Sequence, residues 1–168
     1  GVDMSSGSLG QGVCAANGMA LAAKLDKKDY RVYSILGDGE IEEGQVWEAA
    51  MFAAHYKLDN HTAFLDFNGL QIDGDITKVM SPLPIDEKFR AFGWHVINID
   101  AHDYDQIKSA IAEAKGTKDK PTMIIAKSVK GKGVSFMENQ AAWHGNAPNQ
   151  EQYEQAIADL DKILQEVG

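Results

Sequence analysis

The chain has one cysteine, Cys14, among its 168 residues. No disulfide can form within it, and a reducing, cytoplasmic setting is the expectation. Cys14 stands among Val13, Ala16, Met19 and Ala20 and reads as a small buried hydrophobe rather than a nucleophile. Basic residues are scarce, with 16 Lys and Arg against 25 Asp and Glu and a net charge of −9. A phosphate backbone or an anionic bilayer is held by clustered cations, so neither nucleic acid nor a membrane is an expected partner. The densest basic run, Lys127-Ser-Val-Lys-Gly-Lys132, reads as a solvated loop whose place after a strand leaves room for a role near an anionic ligand. No apolar run reaches the roughly 18 residues of a spanning helix. Residues 1–12 lack the charged start and apolar stretch of a signal peptide. Proline is scarce too, at four residues, and no Pro-rich linker, internal repeat or low-complexity tract divides the chain. One domain over residues 1–168 is expected.

What is present is a 44% hydrophobic content arranged in two alternating periods. Short apolar runs at 31–36, 61–67, 94–100 and 121–126 read as buried strands. Helical spacing fills the gaps between them. Residues 8–25 place Leu9, Val13, Ala16, Ala20 and Leu21 on one side, and 44–57 carry Trp47, Ala50, Met51 and Ala54, with Leu58 just beyond. A short helix follows Pro84, from Asp86 to Ala91. Asp103 is a candidate cap for a helix to Lys115 with Ile107, Ala110, Ile111 and Ala114 inward. A last helix, 149–166, would stripe Tyr153, Ala156, Leu160, Leu164 and Val167 on one face. Strands alternating with helices predict an α/β fold, a parallel sheet with helices on both faces. Two stretches, 68–84 and 128–148, are longer than plain connections and are candidate binding loops.

The first and second strands end in polar residues suited to one task. Gly37-Asp38-Gly39 follows strand 31–36, and Asn68 follows strand 61–67. Both therefore stand at carboxyl ends of strands in one βαβ unit, where open α/β sheets bind ligands. Glycines let the backbone approach phosphate oxygens, and a helix N-terminus offers N–H groups and positive dipole. A hard divalent cation takes oxygen ligands, here one carboxylate and one amide oxygen, with phosphate and water completing the shell. Asp66, Asn68, Asp73 and Asp75 raise a calcium loop as a rival. Counted from Asp66, the places that need glycine and glutamate hold Gln71 and Thr77, and that reading fails.

Four segments together are similar to transketolase. They are Gly1-Val-Asp-Met-Ser-Ser-Gly-Ser-Leu-Gly-Gln-Gly12, Gly37-Asp-Gly-Glu-Ile-Glu-Glu-Gly-Gln-Val-Trp-Glu48, Asp66-Phe-Asn-Gly-Leu-Gln-Ile-Asp-Gly74 and Trp143-His-Gly-Asn-Ala-Pro148. The resemblance spans nearly the whole chain and implies the thiamine diphosphate-binding fold. It implies thiamine diphosphate with Mg2+, for which Ca2+ or Mn2+ substitutes, held by Asp38, Asn68 and the main-chain carbonyl of Leu70. Gly37, Gly39 and His144 would adjoin the diphosphate, with Gly7 and Leu9 near the cofactor rings. Ser8 stands where the family often has proline, a change that keeps a small residue. Glu43 would be the buried acid facing the partner's catalytic glutamate, with Glu40 and Glu42 left as ordinary loop charges. His144 would also reach the substrate, since an imidazole exchanges protons near neutral pH. His55, His61, His95 and His102 read as structural.

By the same resemblance the activity is two-carbon ketol transfer from a ketose phosphate to an aldose phosphate, as in the pentose phosphate pathway. No pyrimidine-binding domain is visible, so the chain is similar to the N-terminal subunit of a split transketolase. A C-terminal subunit carrying that domain is the expected partner, in a dimer or heterotetramer. The chain begins inside a motif without an initiator Met, so truncation at its N-terminus is expected. Two alternatives stand beside this reading. One is a related thiamine enzyme, such as a 2-oxo-acid dehydrogenase component or deoxyxylulose-phosphate synthase. The other is a non-catalytic module that binds the cofactor or a partner.

Overall fold

Four parallel strands form the frame of the protein in a computed structural model that describes residues 1–167, with side chains through 166. They are β1 (Val32–Gly37), β2 (His61–Phe67), β5 (His95–Asp100) and β6 (Thr122–Lys127), in the order β1-β2-β6-β5. Each lies within a residue or so of the apolar run that predicted it. The register sets Gly37 beside Asp66, and Phe67 and Asp100 each beside Lys127. All four carboxyl ends thus open on one edge of the sheet.

Alternation along the strands assigns the two faces. Leu36, Ala63, Leu65, Met123 and Ile125 point to one side and pack with α1 (Gln11–Leu25), α2 (Gly44–His55) and α4 (Ile85–Ala91). Val13 and Ala20 of α1, Val46, Ala49 and Ala53 of α2, and Phe89 of α4 fill that core. Small residues on α1 and α2 let both helices lie close to the sheet. Trp94 closes the end of this core by donating its indole N–H to the Ala50 carbonyl at 3.0 Å. Phe64, Ile97, Ile99, Ile124 and Ala126 point the other way and meet α5 (Tyr104–Gly116) through Ile107 and Ala110. Helices therefore lie on both faces, as expected. Asp103 caps α5, accepting from the N–H groups of Asp105 and Gln106 at 2.9 and 3.0 Å.

The second face is only half covered. α5 packs on β5 and β6, while Ile35 of β1 is 79% exposed and Tyr33 45%. The final helix α6 (Gln150–Val167) keeps its amphipathic pattern, but much of the apolar stripe faces outward, with Leu164 at 73%. Leu160 and Ile163 reach the chain at Gly133, and Asp159 accepts from the Ser135 N–H at 2.9 Å. Val167, placed on that stripe by its spacing, has a side chain outside the described residues, as does all of Gly168.

Several expectations needed correction. α1 starts at Gln11, because Gly10 takes the left-handed conformation at φ 81° and stops the helix there. Leu9 consequently leaves the inward stripe and is exposed. Met51 also faces outward, since the buried stripe of α2 runs through Val46, Ala49, Ala50 and Ala53. Cys14 is half-buried at the core margin rather than inside it. The stretch 68–84, read as a long loop, carries regular structure of its own. It holds a two-residue antiparallel pair, β3 (Leu70–Gln71) with β4 (Gly74–Asp75), and a single turn, α3 (Ile76–Val79). Within 128–148, Ala141–His144 make a 3-10 turn, pinned where the Trp143 indole donates to the Phe136 carbonyl at 3.0 Å.

Candidate functional site

Asp38 sits one residue past β1, and the fold gives it an unusual environment for a carboxylate. It is buried, at 1% exposure, with no lysine or arginine paired to it among the described residues. Its oxygens accept from main-chain N–H groups, Gly39 at 2.9 Å and Gly69 at 2.6 Å. Burial pushes this carboxyl above the usual range, the two N–H groups pull it back, and the charge of Asp66 adds to the rise. Gly69 can serve because it takes φ +80°, which turns its N–H toward Asp38. Gly39 meets a different demand. A Cβ there would lie 2.9 Å from Cβ of Gln71, so β3 closes against this turn only over a glycine.

Asn68 arrives from β2. Its Oδ1 accepts from the Leu70 N–H at 2.9 Å and its Nδ2 donates to Asp66 at 3.1 Å. Asp38 N–H also donates to the Asp66 carbonyl at 3.2 Å, which joins the two strand ends directly. Asp38 and Asn68 are thus brought together as their places at neighbouring strand ends predicted, and Leu70, which the resemblance alone implied, joins them in one small loop cluster.

The oxygen-rich character of this cluster suits a hard cation. Carboxylate and amide oxygens each retain lone pairs beyond the N–H contacts named. A further buried oxygen beside Gly39, Gln71 Oε1, has no donor. Among the described residues no three His, Cys, Asp or Glu side chains converge on one point. The available set is one carboxylate, one amide and main-chain carbonyls, which is Mg2+ or Ca2+ chemistry rather than that of zinc. A buried carboxylate without a counter-charge gains most from such an ion.

The glycine-rich segment before α1 lies beside this cluster through Gly10. A Cβ on Gly10 would stand 3.2 Å from Cβ of Glu43. Gly7 has open space around its Cα and Leu9 projects at 56% exposure, so both are free to line a ligand. His144 ends the 3-10 turn that packs against β3, which brings its segment to the Leu70 side of the cluster with the imidazole exposed.

Glu43 was expected to be buried against a partner subunit. It occupies the cap position of α2 without a side-chain cap bond and is exposed, not buried, in the single chain. The acid that the fold engages is Glu40, expected to be an ordinary loop charge. Its carboxylate accepts from the Gly10 N–H at 2.9 Å and the Gly37 N–H at 3.1 Å, binding the start of α1 to the end of β1. The signal for it was present in the sequence: an acid three residues past Gly37, within reach of strand-end amides that have lost their ladder partners. Glu42 is no ordinary loop charge either, as one of its oxygens is buried without a partner.

His61 is structural, as expected, and its network is now visible. The Ala49 carbonyl accepts from Asn17 Nδ2 at 2.8 Å, so Asn17 Oδ1 must face His61 Nδ1, 2.9 Å away. Nδ1 therefore carries the proton, and Nε2 accepts from Ser34 Oγ at 2.9 Å. Burial pushes the imidazole down to about 4. His102 likewise has a structural task, with Nε2 accepting from the Val129 N–H at 2.9 Å.

The family model described as the transketolase thiamine diphosphate-binding domain matches residues 1–161. A 6-deoxy-6-sulfo-D-fructose transketolase subunit SqwG from a Clostridium species is 50% identical over 163 residues, covering 96% of this chain and 59% of that protein. An apulose-4-phosphate transketolase subunit from Phocaeicola vulgatus is 41% identical, covering 99% and 59% respectively. The chain thus spans less than two thirds of these relatives. The Campylobacter jejuni transketolase crystal structure superposes with a TM-score of 0.90 at 34% identity, over 96% of this chain and 26% of that one.

Proposed function

The chain belongs to the transketolase family through its thiamine diphosphate-binding domain, and from that premise we propose that it is the diphosphate-holding part of a two-subunit transketolase. The observation that carries this is the convergence of Asp38, Asn68 and the Leu70 loop at the carboxyl ends of adjacent strands, around a buried carboxylate that no Lys or Arg pairs with among the described residues. Asp38, Asn68 and the Leu70 carbonyl hold Mg2+, which neutralises the diphosphate. Gly37 and Gly39 let the main chain approach it. When bound, thiamine diphosphate supplies the carbanion chemistry of two-carbon transfer between sugars, and the protein supplies binding and orientation.

The remaining residues arrange that cofactor and its substrate. Gly7 and Leu9 flank the rings from the exposed segment before α1. Glu40 keeps that segment fixed to β1 by its two main-chain contacts. Glu43, exposed here, faces the subunit that carries the pyrimidine-binding domain and its glutamate. His144 lies at the open edge beside β3, placed to donate to, or accept from, a sugar oxygen. The donor is a ketose with an anionic tail and the acceptor an aldose phosphate. The 50% identity to a sulfofructose transketolase subunit favours a sulfonate tail as a second reading beside phosphate.

The test is ketol transfer by the purified chain, alone and mixed with a partner subunit carrying the pyrimidine-binding domain, with thiamine diphosphate and Mg2+. Activity is expected only in the mixture, and parallel assays with sugar phosphate and sulfo-sugar donors rank the two tails. A rate for the chain alone comparable to that of the mixture would refute the half-site reading.

A further inference from the structure

The amide of Asn68 can bind a cation through only one of its two ends, so something must decide which end is offered. Asp66, the penultimate residue of β2, precedes it by two residues. Asp66 Oδ2 accepts from Asn68 Nδ2 at 3.1 Å. Its other oxygen, Oδ1, accepts a short hydrogen bond from the hydroxyl of Ser128, the first residue after β6. Ser128 is itself fixed to the neighbouring strand, its N–H donating to the Phe67 carbonyl at 3.1 Å. The chain of contacts is therefore β6 end, Ser128, Asp66, Asn68.

We propose that Asp66, oriented by Ser128, is a positioning residue that fixes the Asn68 amide with its oxygen toward the cation. The inference rests on the site reading above, in which Asn68 is a ligand. An ionised carboxylate can only accept, so only the NH2 end of Asn68 can face Asp66. The Leu70 N–H can only donate and meets Oδ1 at 2.9 Å, so both neighbours demand the same orientation. A flipped amide would set oxygen against carboxylate and NH2 against N–H. Asp66 also works beyond the flip. A cation on Oδ1 withdraws electrons from the amide and strengthens the Nδ2–H donor, and the waiting carboxylate returns part of that charge. Hydrogen-bond partners of metal ligands typically contribute about 10–100-fold in metal affinity. Ser128 adds the link to the loop 128–148, so the segment that carries His144 begins at the residue that orients Asp66.

Two measurements on the purified chain separate this role from mere structural support. The first needs no cofactor. In nitrogen-15 spectra the Asn68 side-chain NH2 should exchange slowly with solvent, and Asp66→Ala should speed that exchange at least about tenfold, whereas Ser128→Ala should speed it less. Unchanged exchange in Asp66→Ala would overturn the proposal. The second is calorimetric titration of thiamine diphosphate with Mg2+ or Mn2+ in a double-mutant cycle. Asp66→Ala should weaken binding about 10–100-fold in the native background. In the Asn68→Asp background the same change should weaken it less than twofold, because a carboxylate at 68 offers oxygen whichever way it turns. Equal weakening in both backgrounds would mark Asp66 as general scaffold and overturn the proposal. Asp38→Ala serves as the reference. If it abolishes the cation effect while Asp66→Ala does nothing, the positioning role alone fails. If neither matters, the site reading itself fails.

Discussion

Acidification should weaken this fold through one buried imidazole, and the size of the effect can be worked out. His61 is fully enclosed between β1, α1 and Trp94, with its Nδ1–H donated to Asn17 and its Nε2 receiving the Ser34 hydroxyl. A proton added at Nε2 would turn that acceptor into a donor and bring a charge with no carboxylate partner in the network. Its pKa of about 4 in the fold compares with 6.5 for the free side chain. The folded value is depressed, so the stabilisation is complete above the unfolded pKa and is lost as pH falls toward the folded one. Integrating between these values gives a loss of about 2 kcal/mol from pH 7.5 to about pH 5, rising to about 3 kcal/mol near pH 4. Urea unfolding of the native chain and of His61→Gln at several pH values in that range is the assay. Stability should fall more steeply for the native chain, by about 2 kcal/mol over the upper interval, where carboxylates contribute little. Parallel slopes for the two proteins, or a His61 that titrates near its ordinary value in NMR spectra, would refute the reasoning.

Under the proposed site, Asp38→Ala should abolish the Mg2+ dependence of thiamine diphosphate binding in calorimetry while leaving the circular dichroism spectrum unchanged, because the residue lies past the strand end. Unchanged cofactor affinity would remove Asp38 from the ligand set. Glu40→Ala should cost about 2 kcal/mol in urea unfolding, since the Gly10 and Gly37 N–H groups lose a shared acceptor in a half-buried place. A change under about 0.5 kcal/mol would show that water replaces the carboxylate at little cost.

Periodicity in the sequence was enough to locate all four long strands and the main helices, because each element buries a face whose spacing is written in its own residues. The pairing of Gly37-Asp38-Gly39 with Asn68 was equally local, being two strand ends of one βαβ unit. Chain order alone therefore placed them side by side. Glu40 was harder to recognise, since its partners are the N–H of Gly37 and that of Gly10, far away in the chain. Its spacing from Gly37 marks it as a candidate for the strand-end amide, but nothing local to it marks the distant Gly10 amide that shares its carboxylate. Glu43 is not decided within the chain for a related reason. Its expected burial depends on a surface outside this chain, and within the chain it stands exposed.

By itself, then, the sequence determined the alternation of strands and helices, the turn glycines and the placing of Asp38 and Asn68 at neighbouring strand ends, all of which follow from residue type and near-neighbour spacing. The tertiary structure decided which donors are desolvated, which amide end points where, and which histidine is held neutral. Those properties arise from contacts between segments distant along the chain. Asn17 orients His61, Ser128 orients Asp66, and Gln71 lies against Gly39. Desolvation and hydrogen-bond direction depend on what surrounds a group in space, and only the packed sheet brings those surroundings together.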